Sequence, residues 1–238
     1  MSRRVELLCL ANSDKHRNRC VAGLDLDAGD WIRPVSDADD GGLRPREYLT
    51  RQRYDPDPLD TIEFSLSEPD PKPHHPENWL VASNSPELLQ SGEIGDREAE
   101  VLLSNIHSEA SLFGDKSHRI KYSNIKQTPV ESSLELIRPK SPQFKIRESD
   151  DKPRAVFQLQ GTTYDLPITD PIWKQKIKSD DILSGMDLEY EPASAYTPDD
   201  TRPLFTVSLG SPHNGMCYKL VAAVIPVSAA VIDYIDSN

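Results

Sequence analysis

Cysteine is scarce in this chain, and its scarcity excludes a class of folds. Only Cys9, Cys20 and Cys217 occur, with no Cys-x-x-Cys pair, so neither a disulfide framework nor a paired-cysteine zinc site can organise the fold. All three lie in apolar runs and read as buried, reduced thiols. Long apolar runs are missing as well: the longest, Leu220 to Val227, is far too short to cross a bilayer. The opening MSRRVELL lacks the apolar core of a secretion signal. A soluble, cytoplasmic protein with no membrane partner is expected. No Gly-rich phosphate loop is present either, because Gly41-Gly42 and Gly210 stand apart from any Gly-Lys-Ser/Thr.

Signs of catalysis are equally sparse. The adjacent His74 and His75 lack HExxH or HxH spacing, and neighbouring side chains usually diverge, so no metal and no cofactor is expected. Cys20 with His16 or His75 offers the parts of a thiol nucleophile and its base, but Cys20 opens a buried-looking strand. The acidic runs Asp37-Ala38-Asp39-Asp40 and Asp150-Asp151 fall in turn-like segments without the clustered carboxylates of a metal nuclease. The chain reads as a binding protein before an enzyme. A nucleic-acid-processing activity centred on His16, His75 and Asn78 is the enzymatic alternative.

What is abundant is acid and proline. The 238 residues carry a net charge of −12 and 20 prolines, a composition of short elements joined by turns rather than long helices. The charge is uneven: residues 1–54 sum to +1, 55–114 to −11, 115–154 to +4 and 155–238 to −6. Two near-neutral or basic stretches alternate with two acidic ones, which permits a local positive groove on an acidic body. A generally acidic surface, as in salt-adapted organisms, is the plainer explanation of the total.

β-branched and aliphatic runs predict strands at Val5–Ala11, Cys20–Leu26, Trp31–Val35, Thr61–Leu66 and Trp79–Ala82. A Pro-rich path, EPDPKPHHPEN from Glu68 to Asn78, joins the last two. From Asp96, read as an N-cap, the apolar residues Ala99, Leu102, Leu103, Ile106, Ala110 and Phe113 predict one helix ended by Gly114. Beyond a polar stretch, further strands are expected at Leu134–Arg138, Gln143–Arg147, Ala155–Gln160, Thr163–Leu166, Phe205–Leu209 and Tyr218–Ile225. Gln160-Gly161 should turn a hairpin, and Thr169-Asp170-Pro171 should open a short helix. Each half then holds five or six short strands and a helix, the inventory of an OB-like barrel. The fold expected is mainly β with a few short helices, two OB-like small β-barrels in tandem: residues 1–128 with a helical insertion, and 129–238.

Spaced motifs carry a resemblance over nearly the whole chain. CLANSxKHxxRCVAG from Cys9 to Gly23, GxWIRPVS from Gly29, HxPENW from His74 to Trp79, then SLG, Gly215 and CYKLVAA resemble a prokaryotic family described as dual OB-containing domains. The resemblance implies two OB-like barrels and, by analogy with other OB proteins, nucleic-acid binding.

Three constellations are candidate binding residues. In the first, Asn12, Ser13, Lys15, His16, Arg19 and Arg33 offer donors to phosphates and Trp31 a surface for stacking a base. Alternation along the strand would place Trp31 and Arg33 together on the surface if Ile32 points inward. The plainer reading makes Trp31 core and the loop merely solvated. In the second, His74, His75, Asn78 and Trp79 follow the Pro-rich lead: the His pair offers a metal ligand, a proton carrier or a phosphate contact, and Asn78 and Trp79 either fix the loop or read a ligand edge. In the third, Asp170 reads as an N-cap and Trp173 as packing, with Lys219 as a possible backbone contact. The partner expected is nucleic acid, single-stranded favoured. A protein-interaction adaptor using the same barrels is the alternative.

Overall fold

A computed structural model describes residues 3–15, 18–82, 85–92, 94–147, 149–179, 191–193, 197 and 199–236. The N-terminal strands are β1 (Arg3–Lys15), β2 (Asn18–Asp25), β3 (Trp31–Val35), β4 (Thr61–Pro69), β5 (Asn78–Val81) and β6 (Glu87–Gln90). Two helices accompany them, α1 (Pro45–Tyr48) and α2 (Asp96–Ser104).

Five of these strands close a ring in the order β1-β2-β3-β5-β4, with β4 returning to β1. Only the β3–β5 pairing is parallel. One strand can serve both neighbours because β1 bends: its first half, Arg3 to Leu8, pairs with β4, and Leu7 to Lys15 pairs with β2. The bend falls at Leu10, an extra residue between the pairs Cys9–Gly23 and Ala11–Ala22. Such a bulge increases local twist and turns a strand around a barrel corner. Opposite it, Gly23 has no room for a side chain: a Cβ there would sit 2.0 Å from the Leu8 carbonyl oxygen and 2.9 Å from Leu7 Cγ. Val5, Leu7, Cys9, Val21, Ile32 and Phe64 are among the residues that fill the interior.

The next segment holds β7 (Arg119–Lys121) and α3 (Tyr122–Gln127). The chain divides into two compact units, residues 1–105 with 125–133 and residues 106–124 with 134–238. A single cut between residues 128 and 129 therefore does not describe the division, since 106–124 belongs with the second unit and 125–133 with the first.

The second unit contains β8 (Leu134–Ile137), β9 (Lys140–Arg147), β10 (Lys152–Leu159), β11 (Thr162–Pro167), α4 (Pro171–Ser179), β12 (Glu191–Pro192), β13 (Thr201–Leu209), β14 (Met216–Ser228) and α5 (Ala229–Asp236). Its pairings repeat the order of the first. Here β8 pairs with β13, β9 with β10, β10 with β11, and β13 with β14. A single parallel bridge, Ile168 to Val221, joins the end of β11 to β14. The strand equivalent to β1 is split at Arg138-Pro139 into β8 and β9, as suits a proline that has no N–H for a ladder. This second ring is half a barrel, less fully laddered than the first. Its core is aromatic: Phe157 meets Phe205 edge-on at 5.4 Å between ring centres, and Phe144 lies 5.2 Å from Trp173.

Two mainly β units of OB-like topology thus match the expected fold class. Gln160 and Gly161, both at positive φ, turn the expected β10–β11 hairpin. Asp170 caps α4 as expected, its Oδ1 accepting from the N–H groups of Ile172 and Trp173. The helix expected from Asp96 to Phe113 is shorter. It stops at Ser104, where the Ser104 and Asn105 side chains donate back to the carbonyls of Glu100 and Val101. His107 N–H then leaves the helix for the Leu136 carbonyl, and Leu112 enters the core of the second unit.

Candidate functional site

The segment read as a recognition loop is mostly strand. β1 runs to Lys15 and β2 starts at Asn18, so Asn12 and Ser13 are ladder residues facing Val21 and Cys20. Both are buried. Asn12 Nδ2 donates to Asp55 Oδ1 at 2.6 Å and to the Pro56 carbonyl at 2.7 Å, which ties the barrel to the segment before β4. Arg19 pairs with Asp14 and with Asp55, 3.0 Å away, and lies over the Tyr48 ring. Asn12 and Arg19 therefore brace the hairpin instead of offering free donors, and Ser13 is buried in its ladder. Lys15 remains half-exposed at the hairpin end. His16 lies outside the described residues.

Arg33 departs furthest from the expected surface pair with Trp31. Ile32 does point inward, yet Arg33 is only 5% exposed. Its Nε donates to Glu77 Oε1 at 2.9 Å and its guanidinium to Ser133 Oγ at 2.8 Å. Glu77 also accepts from the Ser133 hydroxyl and from the Ser133 N–H. A buried charge requires this degree of pairing. The cause is the β3–β5 register, which sets Arg33 opposite Asn78 and brings Glu77 alongside. Arg33 is thus a strut between β3 and the β4–β5 connection.

The Pro-rich connection is itself ordered. Lys72 and His75 exchange backbone hydrogen bonds, both of 3.0 Å, so Pro73 and His74 form a tight turn. His75 and Asn78 are buried, and the partly accessible member of the His pair is His74. Burial pushes the His74 ring below its ordinary pKa, Arg33 pushes the same way, Glu77 opposes, and Lys15 and Lys72 add to the depression. Lys15 from the β1–β2 hairpin and Lys72 from the β4–β5 connection thus act on one imidazole. Asn78 Oδ1 is buried without a hydrogen-bond partner among the described residues. Trp31 and Trp79 are half-buried and line one cleft, with the Arg3 guanidinium 5.2 Å above the Trp79 ring.

A family model described as dual OB-containing domain matches residues 5–224. The chain belongs to that family. No curated protein and no solved structure matches it. In OB folds, ligands gather on the second and third strands and on the loops joining strands one to two and four to five. In this dual OB-containing chain those loops are the β1–β2 hairpin end and the β4–β5 connection.

The second unit of the dual OB-containing chain holds a different polar cluster. Lys219 has no solvent exposure, which removes it from contact with a nucleic-acid backbone. Its ammonium donates to the Asp115 carbonyl, stands 3.7 Å from Asp115 Oδ1 and lies 5.6 Å from the centre of the Tyr164 ring. Burial lowers its pKa to about 8 against the pull of Asp115 and Glu135. Glu135 accepts from Phe113 N–H at 2.7 Å and lies 3.7 Å from His107 Nδ1. Burial is the main cause that raises Glu135 to about 7. These groups hold residues 107–118 against β8, β11 and β14. Among the described residues no cluster of His, Cys, Asp or Glu is arranged to hold a metal, and no helix is long and apolar enough to cross a membrane.

Proposed function

We propose that the N-terminal barrel binds single-stranded nucleic acid, DNA or RNA, across the end of the β1–β2 hairpin and the β4–β5 connection, in the cytoplasm and without catalysis. The observation that carries this reading is the placement of Lys15 at the end of the β1–β2 hairpin and of Lys72 and His74 in the turn of the β4–β5 connection, the two loops through which OB folds take oligonucleotides. Lys15 supplies one phosphate contact, and Lys72 a second by exchanging its exposed 2.7 Å ion pair with Asp70 for a phosphate. The half-buried His74 ring supplies a stacking face for a base. Rigid mounting comes from the Arg33–Glu77–Ser133 network, which orders the connection before any ligand arrives and so reduces the entropy cost of binding.

With so few cations on a chain of net charge −12, the affinity is modest and strongly salt-dependent. Fluorescence anisotropy with labelled single-stranded DNA, single-stranded RNA and duplexes at low and high salt tests the reading. Saturable binding should weaken in Lys15→Ala and Lys72→Ala, each lowering the log–log salt slope by about 0.7 for a single strand. Unchanged affinity and slope in both variants would remove this face as the site.

A further inference from the structure

The N-terminal unit carries a recess whose chemistry is opposite to that of a phosphate site. It is a cleft of about 380 Å³ lined by Trp31, Trp79, Arg3, Asp25, Asp30 and Glu131, among others, a volume in the range of small-molecule and side-chain pockets. Two of its carboxylates are already matched. Asp25, almost fully buried, pairs with Arg3 and accepts from the backbone N–H groups of Asp27 and Ala28. Glu77, which also lines the cleft, is neutralised by Arg33. Asp30 and Glu131 are exposed at the rim and form no ion pair among the described residues. After pairing, the cleft keeps two unmatched negative charges beside the half-buried face of Trp31.

That balance selects the guest. A phosphate would be repelled by the rim carboxylates, and a neutral apolar group would gain nothing from them. A cation gains from both the indole quadrupole and the carboxylates. The same cleft already contains one example of this recognition, since the Arg3 guanidinium lies over Trp79 while paired with Asp25. A planar guanidinium stacks and forks where an ammonium only approaches as a point charge. Residues 55–105, with 12 carboxylates against Lys72 and Arg97, add a long-range field that draws in a basic segment.

We propose that this cleft is a docking site for an arginine side chain of a partner protein, seated on Trp31 between Asp30 and Glu131. The cleft borders the β4–β5 connection through Pro76 and Glu77 but is not lined by Lys15, Lys72 or His74, and it gives the adaptor role a place of its own.

The chain has three tryptophans, so three indole N–H signals in a proton–nitrogen NMR spectrum, assigned with Trp31→Phe and Trp79→Phe, read the cleft directly. Titration of the full chain with the tripeptide Gly-Arg-Gly should move the Trp31 signal saturably and leave that of Trp173, in the core of the other unit, in place. The citrulline tripeptide, equal in shape and uncharged, should not move it. Asp30→Asn and Glu131→Gln should each weaken binding roughly 2–5-fold, whereas Asp39→Asn, an exposed control with the same charge change, should leave it unchanged. The proposal is overturned by a still Trp31 signal up to about 10 mM peptide, where even weak binding would register. An equal response to citrulline, or an equal loss in Asp39→Asn, would overturn it too. Tighter displacement of the Trp31 signal by an oligonucleotide than by the peptide would make the cleft a base site.

Discussion

Arg33 and Glu77, 44 residues apart in sequence, form a buried ion pair 2.9 Å long that joins β3 to the connection leading into β5. With side-chain exposures of 6% and 5%, neither charge has water to fall back on. Arg33→Ala leaves the buried Glu77 carboxylate without its counter-ion, and should cost about 3–5 kcal/mol. Urea denaturation of the variant, followed by circular dichroism, measures it. A loss below about 1 kcal/mol would mean the pair is open to solvent.

The corner of the first barrel rests on Gly23. Any side chain there would collide with backbone, 2.0 Å from the Leu8 oxygen and 2.8 Å from its carbon, and backbone in a closed ladder cannot step aside as a flexible side chain can. Gly23→Ala should therefore lower stability by at least about 2 kcal/mol. Gly29→Ala is the useful comparison, because a Cβ at that turn meets nothing within 4 Å and only the positive φ of 76° is strained.

Much of this architecture was legible from side-chain pattern alone. Alternating or continuous apolar runs located eleven strands to within a few residues, since they follow burial, which composition records. What the pattern hid was tertiary. Arg33 read as a surface residue because its partners, Glu77 and Ser133, are remote in sequence. Lys219 read as a ligand contact because nothing local announces that Asp115 and Tyr164 receive it. The apolar spacing past Ser104 was real, but Leu112 serves the core of the second unit and not a helix face. Short elements such as α1 and β7 carry too few residues to show a period.

The Lys219–Glu135 cluster should leave a mark on stability against pH. The folded state holds Glu135 near 7, above its ordinary 4.5, so it binds more protons than the unfolded chain between those values and stability falls as pH rises through that window. Lys219, near 8 in the fold against an ordinary 10.5, binds fewer protons than the unfolded chain above 8, and stability rises from there toward 10.5. The cluster's contribution is least favourable between about 7 and 8. His107, Asp115 and Tyr164 face the same groups, so the assignment needs variants. Urea midpoints at pH 5, 7.5 and 9.5 should show the acid-side slope flattened in Glu135→Gln and the alkaline-side slope flattened in Lys219→Met. Slopes identical to the parent chain in both variants would rule out these two groups as its source.

The convergence of two loops on His74 can be tested without any ligand. Its pKa is depressed by burial first and then by positive neighbours, Arg33, Lys15 and Lys72. Deleting a cation from either loop removes part of the repulsion felt by the imidazolium, so Lys15→Ala and Lys72→Ala should each raise the His74 pKa, the two changes adding because the lysines lie on different elements. Proton NMR of the imidazole Cε1–H across pH 4 to 8, with His74→Gln to assign the signal, reads the shift. A rise in only one variant would mean that one loop stands away from the ring, and the mouth proposed for nucleic acid would lose that wall. A rise in both carries a second consequence. The His74 pKa lies below its ordinary value, so any gain in oligonucleotide affinity from its protonation should come at a lower pH than an unperturbed histidine would give.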